Sequence, residues 1–155
     1  MFSNDRLSRE EMLMSIARVI SFRGSCPKLR VGAVIAYQGR IISIGYNGSA
    51  PGLPHCLDVG CELDEKGHCI RTIHAEMNAI AWAARYGIST DECELYTTNS
   101  PCVICAKAIA SAGILKVHYQ AEYDQSHGLI YLEKTGIQIQ KHNYEETSFI
   151  KYPLG

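Results

Sequence analysis

The sequence predicts an α/β fold: a mixed five-stranded sheet between helical layers, a three-layer α/β/α sandwich in one domain spanning 1–155. Three observations carry that prediction. The chain opens with helical spacing, placing Met12, Ile16, Val19 and Ile20 on one side. Two β-branched runs then flank Gln38-Gly39. Finally, two Ala-rich segments, each followed by a glycine, alternate with short strands.

In order, the first helix is expected over Ser8–Phe22, with Ser8 as its cap and Gly24 to Pro27 as its break. Val31–Tyr37 and Ile41–Gly45 read as a hairpin. From Tyr46 to Thr72 no periodicity survives, and a loop this long in a compact domain should be functional or braced. It carries Cys56, Cys61, His68 and Cys69, so bracing by metal is one reading. Ile73–Tyr86 is the clearest helix, closed by Gly87. A strand at Glu94–Thr98, a helix at Cys102–Ala112, a strand at Ile114–Tyr119, a helix at Gln125–Lys134 and a strand at Ile137–Gln140 complete the order.

Composition narrows the function classes. No apolar run approaches a membrane span. The polar first residues lack the apolar core of a secretory signal, so a reducing cytoplasm is the expected compartment. A formal net charge of −1 offers no global field for nucleic acid and suits a small substrate better. Seven cysteines in a reducing compartment favour metal ligation, and the odd number argues against a complete disulfide framework.

The chemistry lies in His74-Ala75-Glu76 and Pro101-Cys102-Val103-Ile104-Cys105. Cys102 and Cys105 stand one helical turn apart, so their sulfurs share a face at a helix start, where the dipole favours thiolates. Ser100 is the expected cap of that helix and Pro101 its first residue. His74 begins the other helix. Zinc needs only three such protein ligands when water fills the fourth place. Glu76 is then placed as the proton shuttle of a hydrolytic deamination, in which water adds to an amidine-like carbon and ammonia leaves. Taken singly, each residue has a blander reading: a capping histidine, a solvated glutamate, a redox or buried cysteine pair. Both halves in this order outweigh those readings.

These motifs resemble the cytidine deaminase superfamily. Val31-Gly32-Ala33-Val34, Gly45-Tyr46-Asn47-Gly48 and Gly52-Leu53-Pro54-His55-Cys56 narrow the resemblance to deoxycytidylate (dCMP) deaminases of bacterial and phage type. The resemblance implies a hydrolase acting on cyclic amidines that converts dCMP to dUMP for thymidylate synthesis. It also implies a homohexamer activated by dCTP with Mg²⁺ and inhibited by dTTP. His74, Cys102 and Cys105 match its zinc ligands and Glu76 its proton shuttle. Asn47 matches a residue contacting the nucleotide sugar, and Tyr123 an aromatic bordering the nucleotide. Lys28 stands where relatives often carry a phosphate-binding arginine, and Arg85 resembles a regulatory arginine. A helix-end cation such as Arg85 is also expected on dipole grounds alone.

A second, structural zinc would take four of Cys26, Cys56, Cys61, His68 and Cys69. The favoured set is Cys26, Cys56, Cys61 and His68, with Cys69 as the alternative to His68. Cys93 reads as a core or edge thiol. The competing functions are deamination of dCTP, a nucleoside or guanine, and a non-catalytic zinc module. A tRNA- or DNA-acting deaminase would need a basic or aromatic groove that the sequence does not advertise.

Overall fold

A computed structural model describes residues 6–123 and 127–143. Helix α1 (Arg9–Ser21) starts where predicted, because Ser8 and Glu11 cap it reciprocally. The Glu11 amide donates to Ser8 Oγ at 3.1 Å, and Glu11 Oε2 accepts from the Ser8 amide at 2.7 Å. Strands β1 (Gly32–Tyr37) and β2 (Arg40–Tyr46) form the expected hairpin. Its two turn residues, Gln38 and Gly39, both have positive φ, 48° and 76°, which matches the right-handed twist of the strands.

The sheet continues with β3 (Glu94–Asn99), β4 (Lys116–Ala121) and β5 (Gln138–Lys141), in the order β2-β1-β3-β4-β5. β1 is antiparallel to both neighbours, whereas β3, β4 and β5 run parallel. Parallel neighbours need crossover helices. α4 (Val103–Ser111) joins β3 to β4, and α5 (His127–Lys134) lies between β4 and β5.

Alternation along the strands divides the core. Ala33, Ile35, Leu95 and Val117 pack with Ala79, Ile109 and Leu132 from α3 (Ala75–Arg85), α4 and α5. Val34, Ala36 and Tyr96 face the other way, against Leu13, Met14 and Ala17 of α1. The predicted mixed sheet covered on both faces is the architecture found, with α1 on one side and α3, α4 and α5 on the other.

The long loop is braced rather than loose. It contains a short helix, α2 (Cys56–Val59), and isolated bridges pair Gly48 with Ile73 and Leu63 with Cys69. Two predicted helix starts need correction. α3 begins at Ala75, with His74 as its extended N-cap, and α4 begins at Val103, with Cys102 as its N-cap. Ser100 therefore does not cap α4, nor is Pro101 its first residue. The Ser100 hydroxyl instead accepts from the Tyr123 amide at 2.7 Å and donates to the Tyr123 carbonyl at 3.2 Å. The first two residues of the predicted Gln125–Lys134 helix lie outside the described residues.

Candidate active site

β1 and β2 seat α3, and β3 feeds directly into α4, so two helix starts meet over one face of the sheet. Both N-cap residues are metal-ligand types. His74 Nδ1 lies 3.5 Å from Cys102 Sγ and 3.4 Å from Cys105 Sγ. Zinc bond lengths in a tetrahedral site place such nitrogen and sulfur atoms about 3.6 Å apart, so the three donors fit one ion and leave a fourth position for water. Donor chemistry agrees with the distances. A hydrogen bond from Cys105 draws the Cys102 thiol down to about 3, against burial and with help from His74. The same contact and burial push Cys105 up, while the bond to Cys102 raises His74. Cys102 is thus the group of the three that most readily gives up its proton, as a metal ligand must.

Glu76 sits in the first turn of α3 and is 4% exposed. Burial raises its carboxyl above the ordinary range, beyond what its backbone and His74 recover. A buried carboxyl beside a helix N-terminus is not a solvated surface glutamate. Its environment suits a group that takes up a proton and returns it.

A second cluster lies in the braced loop. The sulfurs of Cys26, Cys56, Cys61 and Cys69 all fall within 4.8 Å of one another. Cys26 and Cys61 are 3.7 Å apart, and Cys56 and Cys69 are 3.5 Å apart. A zinc–sulfur bond of about 2.3 Å implies tetrahedral edges of about 3.8 Å, so the four thiols also fit one ion. Cys26 and Cys56 are buried, and burial pushes the Cys56 thiol up to about 12. Burial also acts to raise Cys69, but backbone donors led by the Arg71 amide bring it down to about 6.

Here the favoured ligand set is corrected. His68 does not join the cluster; Cys69 does. His68 is exposed, with its amide bound to Asp64 Oδ1 at 2.8 Å and its ring 3.3 Å from Asp64 Oδ2. The physical reason is alternation. The Leu63–Cys69 bridge makes this stretch a small hairpin, and neighbouring residues there point to opposite sides.

The remaining candidates are scattered. Asn47 is buried and works on backbone: its Oδ1 accepts from Val31 at 2.8 Å, and its Nδ2 donates to Leu29 O at 2.7 Å. It thereby shapes the segment from Leu29 to Val31, before β1. Lys28 is exposed, and its ammonium donates to the Gly67 carbonyl, bridging the cysteine loop. Tyr123 stands opposite Ser100, two residues from Cys102, held by the bonds described above. Arg85 is exposed at the far end of α3, with its guanidinium 5.9 Å from the Tyr86 ring centre. None of these four lies within either thiol cluster. Sequence reading missed the bracing role of His55, whose Nδ1 is 2.9 Å from Ser25 Oγ. The pairing of these loops across 30 residues left no local signal.

Comparison with known proteins agrees with the geometry. Residues 7–121 match the model of the cytidine and deoxycytidylate deaminase zinc-binding region. ComE operon protein 2 of Bacillus subtilis is 39% identical over 143 residues, covering 92% of this chain and 75% of that protein. The deoxycytidylate deaminase of Enterobacteria phage T4 is 36% identical over 151 residues, covering 74% of this chain and 78% of its own. Among solved structures, the dCMP deaminase of cyanophage S-TIM5 in complex with dCMP and dUMP superimposes with a TM-score of 0.78 at 34% identity. That match covers 88% of this chain and all of the cyanophage chain. With both helix starts, the buried glutamate and the matched region in place, this chain belongs to the cytidine and deoxycytidylate deaminase family.

Proposed function

We propose that this protein hydrolyses dCMP to dUMP and ammonia at a site made by His74, Cys102, Cys105 and Glu76. The observation that carries the reading is Glu76, a carboxyl 4% exposed at the turn that presents His74. A structural zinc module has no use for a buried acid there. When bound, zinc supplies the Lewis acidity that makes water a nucleophile near neutral pH. Two thiolates and a neutral imidazole cancel its charge, so the proton needs a dedicated acceptor. Glu76 takes it and passes it to the base ring. A second proton, from the hydroxyl now on the carbon, goes through Glu76 to the amine, so that the C–N bond breaks, ammonia leaves and the carbonyl forms.

The choice of nucleotide rests on relatives. Phage T4 and S-TIM5 proteins of this kind are named for dCMP, and the S-TIM5 structure holds dCMP and dUMP. Tyr123 is assigned to the border of the nucleotide, because its backbone is tied to the hydroxyl of Ser100, two residues before Cys102 in the chain. Asn47 is assigned to the sugar side, acting through the loop it shapes. Lys28 is assigned to the phosphate and Arg85 to regulation. Cys26, Cys56, Cys61 and Cys69 hold a structural zinc. The remaining expectations belong to the same reading: a cytoplasmic homohexamer supplying dUMP for thymidylate, activated by dCTP with Mg²⁺ and inhibited by dTTP.

The test is to incubate purified protein with dCMP, dCTP, deoxycytidine or cytosine, with and without dCTP plus Mg²⁺. Loss of cytosine absorbance with dCMP, stimulated by dCTP, is expected. Turnover of another substrate in preference to dCMP overturns the assignment, and no effect of dCTP removes the regulatory part.

A further inference from the structure

The three donors come from two helix starts, His74 from α3 and Cys102 and Cys105 from α4, so something must set the distance between the two helices. Two glycines stand at that task. Gly45, on β2, lies flat against the first turn of α3. A Cβ there would overlap the Ala75 carbonyl oxygen and stand 2.5 Å from the Ala79 amide nitrogen. Ala75 is the residue between His74 and Glu76. The register is pinned on either side of the glycine. Ser43 Oγ donates to Ala79 O at 2.7 Å, and Asn78 Nδ2 donates to Tyr46 O at 2.8 Å.

Gly128 does the same for the other ligands. It lies in the first turn of α5, buried against the peptide that leads into α4. A Cβ there would overlap the Pro101 carbonyl oxygen and stand 2.8 Å from Pro101 C and 2.9 Å from Cys102 C. All of these atoms are backbone, so none can swing aside. An added methyl would force a whole helix start to retreat.

We infer that Gly45 and Gly128 are positioning residues: each lets backbone rest on backbone at a ligand-bearing turn, and together they set the gap that the metal spans. The inference rests on the zinc reading of His74, Cys102 and Cys105. Metal bonds tolerate displacements of only about 0.2 Å. A retreat of about 1 Å is also the scale at which misplacement costs on the order of 100-fold in rate.

Gly32 supplies the control. A Cβ there would overlap Ala17 O and stand 2.5 Å from Ser21 N, an equally tight backbone contact. But it faces α1, on the side of the sheet away from the donors. Gly32→Ala should therefore strain the fold without moving the ligands.

The experiment is cadmium-113 NMR on the full chain, with cadmium alone as the probe. Four-thiolate and two-thiolate, one-imidazole sites give separate resonances. In Gly45→Ala and Gly128→Ala the two-thiolate resonance is expected to shift or broaden while the four-thiolate one stays. In Gly32→Ala neither moves. On the zinc enzymes, kcat for dCMP is expected to fall about tenfold or more in the first two variants, with KM within about twofold. Should an alanine variant fail to fold, Leu132→Ala, in the cluster with Cys105, Ala106 and Ile109, loosens the α5 seat without adding an atom beside Pro101, and it should shift the same resonance. A two-thiolate resonance unmoved in all of the folded variants overturns the inference and leaves the zinc reading standing. A wild-type spectrum with only the four-thiolate signal overturns both.

Discussion

His74 Nδ1 lies 3.4 Å from Cys105 Sγ, although 31 residues separate them along the chain. Helix α3, a turn, β3 and the start of α4 intervene, and the contact closes only because both helices begin over the same face of the sheet. That closure turns two short motifs into one site, and it frames what each neighbouring residue should do when altered.

Glu76→Gln should keep its metal and lose its chemistry. The amide is nearly isosteric and removes an acid that burial already disfavours, so the melting temperature should hold or rise. Steady-state deamination should drop by about 10²- to 10⁴-fold, the usual share of a general acid–base. Metal analysis beside the rate assay checks both halves; robust turnover would falsify the proton-shuttle role.

Cys69 and His68 should behave differently despite being neighbours. Cys69→Ser is expected to cut zinc from two ions per chain to one and to lower the melting temperature sharply. His68→Ala should leave the zinc content alone and change stability by less than about 0.5 kcal/mol, as for other exposed positions. The opposite pattern restores the ligand set favoured from sequence.

Ser100→Ala should act through Tyr123. The hydroxyl both accepts from and donates to the Tyr123 backbone inside a site where Ser100 is 2% exposed. Its loss removes the hydroxyl that both accepts from and donates to the Tyr123 backbone, at a cost of about 1 kcal/mol. If Tyr123 borders the nucleotide, KM for dCMP rises while zinc content does not change. An unchanged KM separates Tyr123 from substrate binding.

Acid should weaken the fold in two stages, through a network on the α1 side of the sheet. Glu94 Oε2 accepts from Tyr96 Oη at 2.8 Å and lies 2.8 Å from His118 Nε2, and His118 Nδ1 lies 2.8 Å from His142 Nε2. Burial lowers His118 below its ordinary value of 6.5. Its unfolded form therefore binds a proton first, and stability falls as pH drops below about 6.5 towards the folded value. For Glu94, burial acts upward, but the bonds from Tyr96 and His118 more than reverse it, leaving the carboxyl below its usual 4.5. Its contribution is present above about 4.5 and is lost as pH falls through the depressed folded value. Urea unfolding across pH should show both declines, and Glu94→Gln should remove the lower one. A flat profile between pH 7 and 5 contradicts the first.

Much of this was legible because local signals act alone. The capping box at Ser8 and Glu11, the positive-φ turn at Gln38-Gly39 and the Ala-rich helices each depend on neighbours within a few residues. The helix starts at His74 and Cys102 were placed a residue or two early, because an N-cap residue is extended while its helix pattern has already begun.

By itself, then, the sequence determined the mixed sheet, the order of its elements and the donor set His74, Cys102 and Cys105 with Glu76 beside it. Ligand type and spacing within one helical turn are local facts. Tertiary structure alone decided that Cys69 rather than His68 faces the other three thiols, that Asn47 holds backbone, and that Ser100 braces Tyr123 instead of capping α4. Those outcomes depend on which way a side chain points across a bridge or between loops. That direction is set by partners distant in sequence, which spacing along the chain cannot encode.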